Sequence, residues 1–190
     1  AITPVFDGAN EEEIEAELAR AWLIDRAWEE IGTRAWEWVK EKGYYDEEGF
    51  EDDEEVRRLY LENWLKPMKY NIDLIATDRN YARRAALREW LRQKGFDPEK
   101  LLVFEDSELA VEQREPFDLA AKEACLRLWI ESKGRKVKAD SGADAVAKQA
   151  AKLMVETGEP APTLGKQLLY NGKTGVPYDN PVTVGVVMMM

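Results

Sequence analysis

From Ile14 to Val39 the residues Ile14, Leu18, Ala21, Trp22, Trp28, Ile31, Ala35, Trp38 and Val39 recur at helical spacing. An apolar stripe of that length sets the chain on a mainly α architecture. Asn10 stands where it can cap the helix, and Glu13 three residues on completes a capping box. Neighbouring acids crowd the positive end of the helix dipole. The stripe runs to Gly43, with a break expected near Gly32 that would divide it into two helices.

Further helices follow. One is expected from about 53 to 66, with Val56, Leu59, Tyr60 and Trp64 inward and Pro67 as its stop. Another starts near Asp78 and ends before Gly95, with Tyr81, Ala85, Trp90 and Leu91 inward. The stretch "FDPEKLL" reads as a helical turn, capped by Asp97 and opened by Pro98, whose missing N–H costs nothing there. Residues 107 to 114 fit a helix less well. Pro116 opens a stronger one, with Phe117, Ala121, Ala124, Cys125, Leu128 and Trp129 on one face, closing at Gly134. Ser141 with Asp144 begins the last, in which Val146, Ala150, Leu153 and Met154 face inward before Gly158.

The two ends look different. "ITPVF" alternates weakly, contains Pro4 and turns at "DGA". "GEPAPTLG" breaks the helical pattern, and "KQLLY" and "PVTVGVV" then read as short strands joined by a turn-rich loop. The expected fold is therefore mainly α: a domain of five to seven helices over residues 11–159, set on a small β frame formed by residues 1–10 and 160–190.

Charge follows the same seam. The net charge is −11, and residues 11–159 alone carry 25 basic and 36 acidic residues. Such a surface repels phosphate and makes a poor general grip on nucleic acid. Two basic clusters interrupt it, "RNYARR" with Arg79, Arg83 and Arg84, and "KGRKVK" with Lys136 and Lys138. They read first as solvated helix faces and second as a local nucleic-acid contact. Seven Trp, seven Tyr and five Phe are too many large side chains for a disordered chain. Most belong in the core, although Trp36 and Trp38 cannot both lie on one narrow stripe, and a surplus aromatic can mark a protein-binding patch. No apolar run approaches a membrane span and no basic start precedes an apolar core, so a cytoplasmic location without membrane contact is expected. The first residue is Ala rather than Met, as expected of an excised piece or of a chain that loses its Met.

Catalytic chemistry finds little to work with. The chain has no His, which removes the commonest general base, the Ser/His and Cys/His pairs and most zinc sites. The single Cys125 sits in an apolar helical pattern as a small core residue. "EEGFEDDEE" lacks the ligand spacing and central Gly of a calcium loop and reads as a solvated loop and helix start. In "NGKTG" only two residues separate the glycines and a strand follows, so it is a tight turn rather than a phosphate loop. No catalytic, cofactor-binding or metal-binding residue is assigned.

The ends carry a signature. "TPVFDGANEEEI", followed much later by "LYNGKTGVPYDNPVTVG", resembles two segments of the β subunit of bacterial DNA-directed RNA polymerase, in the same order. The motif residues are Pro4, Phe6, Asp7, Gly8, Tyr170, Gly172, Gly175, Pro177, Asp179, Asn180 and Gly185. The sequence departs from the family pattern at Asn171, Lys173, Val176 and Tyr178, and at the terminal "VVMMM". Because the connection between these segments can be very short in that family, the resemblance implies that the helical middle is a lineage-specific insertion. An insertion is tolerated where the host loop is exposed and the insert's own ends lie close together. The resemblance also implies DNA-templated RNA synthesis by the whole enzyme, with the remaining polymerase subunits, DNA and RNA as partners. Magnesium would be bound by another subunit, so this piece should hold no cofactor and have no activity alone. The insert is then expected to be a surface module for assembly or for docking a regulatory protein. The alternative is an auxiliary DNA contact through Arg79, Arg83, Arg84, Lys136 and Lys138.

Overall fold

A computed structural model describes residues 11–43, 53–102, 111–164, 166–167 and 182–183. It confirms a mainly α protein. The described residues form six α-helices: α1 Glu11–Lys42, α2 Asp53–Leu65, α3 Ile72–Thr77, α4 Arg79–Gln93, α5 Val111–Ser132 and α6 Ala143–Thr157. Short 3-10 turns at Lys66–Met68 and Pro98–Lys100 complete the helical part. The expected cap at Asn10, the motif residues Pro4, Phe6, Asp7 and Gly8, and all those from Tyr170 to Asn180 and at Gly185 lie outside the described residues, so the frame expected from both ends does too. Two residue pairs near the C-terminal end do bond: β1 Lys166–Gln167 runs antiparallel to β2 Val182–Thr183, with Lys166 opposite Thr183.

Helix α1 is one uninterrupted element of 32 residues, not two. Its buried line is Ala16, Ala19, Leu23, Ala27, Ile31, Ala35 and Val39, stepping by three or four residues as helical geometry requires. Alanines supply most of that line. Ala21, expected inward, is exposed, while Ile14, Leu18, Trp22, Trp28 and Trp38 are half-buried. Gly32 does not break the helix because it is used inside it. A Cβ there would lie 2.7 Å from Arg57 Nη2 and 2.8 Å from Arg57 Nε, so the glycine makes room for a guanidinium brought by α2.

The chain divides into two compact units, one of residues 1–22 with 99–190 and the other of residues 23–98. In the first, α5 and α6 pack through Trp129, Ile130, Val146, Ala150 and Leu153, with Ala161 joining from beyond α6 and Trp22, Leu126, Val137 and Met154 at the margin. In the Pro-rich stretch after α6, Ala161 and Thr163 are buried while Gly158, Glu159, Pro160 and Leu164 are exposed. Helix α5 begins at Val111, five residues before the expected start, and takes Pro116 into its interior. Helix α6 is capped by Gly142, which offers no side-chain bond, instead of by Ser141. The carbonyl of Ser141 accepts from Arg127 Nη2. Gly158 ends the helix at φ +72°, with its N–H bonded to Met154 O at 2.9 Å.

In the second unit, Ala35, Val39 and Val56 are buried beneath Trp36, Trp38 and Tyr60. Tyr60 stacks on Trp64 at 5.8 Å and meets Trp38 edge-on at 6.0 Å. Leu61 and Leu65 carry the buried side of α2, while Leu59, Tyr60 and Trp64 are only half-buried. Pro67 ends α2 as expected. Helix α3, unforeseen, is capped by Asn71, whose side chain accepts from Leu74 N at 3.2 Å. Asp78 then caps α4, accepting from Asn80 N at 2.9 Å and Tyr81 N at 3.1 Å. Trp90 is fully buried and donates its indole N–H to Glu30 Oε2 at 2.9 Å.

Candidate functional site

Many titratable groups of the described residues pair with one another, as Arg20 does with Glu17 and Asp118 and Lys94 with Glu30. Cys125 is wholly buried and its thiol is pushed up to about 12 by burial, which removes it as a nucleophile. Among the described residues no group of three or more His, Cys, Asp or Glu is placed to hold a metal ion. No described helix is long and apolar enough to cross a membrane. Burial alone would raise the Glu30 carboxyl, but hydrogen bonds from Trp90 and Lys94 and the charges of Lys94 and Arg26 outweigh it and hold Glu30 below the usual carboxylate range.

The basic clusters singled out in the sequence belong to different units. Lys136 and Lys138 are exposed, and their backbone carbonyls accept from Gln149 and Arg127. Arg84 is exposed on α4. Arg79 pairs with Glu54 at 2.7 Å, both side chains more than half exposed, an arrangement of small net stability. Arg83 turns inward and lies over the ring of Trp28, with its Cζ 5.3 Å from the ring centre. The structure thus brings Arg79 and Arg83 into one neighbourhood but spends Arg83 on an indole.

That indole lies beside a concave site of the second unit. A second guanidinium, Arg57, also lies over Trp28, with its Cζ 5.5 Å from the ring centre. The helices dictate the meeting. Trp28 and Gly32 stand one turn apart on α1, and Gly32 leaves space for Arg57 beside the ring. Arg79, Ala82 and Arg83 share one face of α4 by the same spacing. The Nε atoms of both Arg57 and Arg83 are buried and have no hydrogen-bond partner. A buried donor left unmade costs about 1–3 kcal/mol, more when charged, so two on one indole are conspicuous. Glu54, the acid one turn before Arg57, is engaged by Arg79 instead.

A cavity of about 320 Å³ opens beside Trp28 and Arg57. Its lining combines apolar Leu61, Ile75, Ala76 and Ala82 with charged Arg58, Arg79, Glu54 and Glu55. Arg58 reaches Glu55 and Glu62 only at 3.7 and 3.8 Å. With three arginines against two glutamates, the lining is net positive in a chain of net charge −11. Sequence reasoning missed this site: it placed Trp28 in the core and made no assignment for Arg57 or Arg58. The available signal was the surplus of tryptophans.

No family model and no solved structure matches the chain. The DNA-directed RNA polymerase β subunits of two strains of Dehalococcoides mccartyi are 31% identical to it over 183 residues, 96% of this chain. The chain spans about a tenth of the length of these curated relatives, 10% in each case. With 183 of 190 residues matched, the similarity runs through the helical body as well as the ends. Over nearly its whole length the chain is similar to a segment of the polymerase β subunit, which supports reading it as a fragment of that subunit.

Proposed function

We propose that the chain is a segment of the β subunit of a bacterial DNA-directed RNA polymerase. Its helical body, residues 11–159, is an insertion that serves as a non-catalytic surface module for assembly or for docking a regulatory protein. The observation that carries this reading is the 31% identity to β subunits over 96% of the chain, together with the two motifs at the ends. The segment works with the remaining polymerase subunits, and with DNA and RNA through the whole enzyme, whose magnesium is held by another subunit. The accessory role is supported by the shape of the sequence, whose family-like motifs lie at the ends, and by the absence of His from the whole chain. A direct DNA contact is less favoured, because Arg79 is paired and Arg83 stacked.

The test is deletion of residues 11–159 from the full-length subunit with the flanks joined. The assembled enzyme is expected to keep promoter-independent RNA synthesis at close to its original rate. Loss of polymerisation by an enzyme that still assembles would show that the helical body belongs to the machinery.

A further inference from the structure

We infer that the loop between α5 and α6 is a docking site for an acidic segment of a partner protein, gripped by Lys136 and Lys138. The loop is tied down from both helices. From α5, Arg127 donates through Nη1 to Lys138 O at 3.1 Å and through Nη2 to Ser141 O, while its Nε donates to Glu123 at 2.9 Å. From α6, Gln149 Nε2 donates to Lys136 O at 3.0 Å. Val137, between the two lysines, packs against the core shared by α5 and α6. The backbone at 136–138 is thus fixed, and Lys136 and Lys138 are exposed on either side of the anchored valine. Two further cations of the loop are used internally, Lys133 by Glu159 and Arg135 by Glu156. Among the described residues neither Lys136 nor Lys138 forms an ion pair. Cations already held on a fixed backbone cost less ordering when a partner binds, which is how preorganisation adds affinity.

Charge selects the occupant. Residues 133–140 hold four basic residues and one acid, Asp140, within a chain of net charge −11. Two free ammonium groups are too few to grip the dense charge of a duplex, which the surrounding acidic surface repels. They suffice for an extended segment with carboxylates at alternate positions, the sequence spacing of Lys136 and Lys138. This names the chemistry of the partner and so rests on the reading of the helical body as a docking module. The two fail separately. A loop that binds nothing leaves the deletion result standing, and polymerisation lost on deletion leaves the binding result standing.

The experiment follows the backbone amide resonances of Lys136 and Lys138 in the full chain by NMR. The probes are a short peptide of alternating Glu and Thr, the same peptide with Gln for Glu, and a short DNA duplex. The Glu peptide is expected to shift both amides saturably, with an affinity that falls as salt is raised, and the Gln peptide to shift neither. Lys136→Gln and Lys138→Gln should each lose about three- to fivefold in affinity and flatten the salt dependence. Gln149→Ala removes the bond to Lys136 O without removing a charge. It should lose about threefold in affinity while keeping the salt dependence of the parent, the signature of a loop that must be held in place. Equal binding of the two peptides, unchanged affinity in the lysine variants or in Gln149→Ala, tighter binding of the duplex, or no shift with any probe overturns the proposal.

Discussion

Two arginines, one in each unit, show how differently the same side chain can be employed. Arg20, in the unit built on α5 and α6, is buried and uses every nitrogen: Nε donates to Leu101 O at 3.1 Å, Nη1 to Glu17 at 2.8 Å and Nη2 to Asp118 at 2.6 Å. Arg57, in the unit of residues 23–98, stacks on Trp28 and leaves its buried Nε without an acceptor. A guanidinium with every nitrogen bonded ties secondary structure together, whereas Arg57 is held by packing against Gly32 and the Trp28 ring. The difference teaches that an arginine can be fixed by its hydrogen bonds or by an aromatic face.

The largest expected effect comes from breaking the closed member. Arg20→Leu strands Asp118, whose side chain is only 15% exposed, and should cost about 3 kcal/mol in urea unfolding. Glu30 provides a smaller, pH-dependent comparison inside the second unit. Its folded carboxyl lies below the usual range, so its stabilisation is complete above the ordinary glutamate value and is lost as pH falls through the folded value. Glu30→Gln should therefore cost about 1 kcal/mol at neutral pH, with the gap to the parent closing as pH falls through the folded Glu30 value. A gap that stays constant between these conditions would show that the Glu30 charge does not contribute. The smallest effect is expected from Gly32→Ala. Helix propensity gains up to about 1 kcal/mol from alanine, while the displaced Arg57 loses about 0.5–1 kcal/mol of stacking on Trp28. The unfolding midpoint should then barely move, and a fall comparable to that of Arg20→Leu would mean that Gly32 is needed for the packing itself.

The helical architecture was legible because its signals are local. Pro67 ends α2 because it has no N–H to donate, while Asp78 caps α4 and Gly158 ends α6 through bonds to residues within a few positions. Local rules also misled. Gly32 looked like a break because its use depends on Arg57, 25 positions away by the numbering of the chain. Helix α3 has six residues, too few for a periodic pattern, and three of its positions are β-branched, Ile72, Ile75 and Thr77. Pro116 suggested a helix start, but packing of the Ala121, Ala124 and Cys125 face extends α5 past it to Val111. Of the candidate site, only Arg79 and Arg83 could be picked out, since charge clusters are visible in a string of letters. Their destinations were not. Whether an arginine meets a carboxylate or an indole is decided by the register in which helices pack, and no single stretch records it.

The contrast between the two arginines is tested most directly by the stability of Arg57→Leu set against that of Arg20→Leu, both in the full chain and both from urea unfolding. Removing the Arg57 guanidinium sacrifices its contact with Trp28 but relieves a buried Nε that has no hydrogen bond, so the account predicts a change of less than about 1 kcal/mol for Arg57→Leu. Arg20→Leu should lose about 3 kcal/mol. Equal losses in the two variants would contradict the account, because Arg57 would then be as much a part of the scaffold as Arg20.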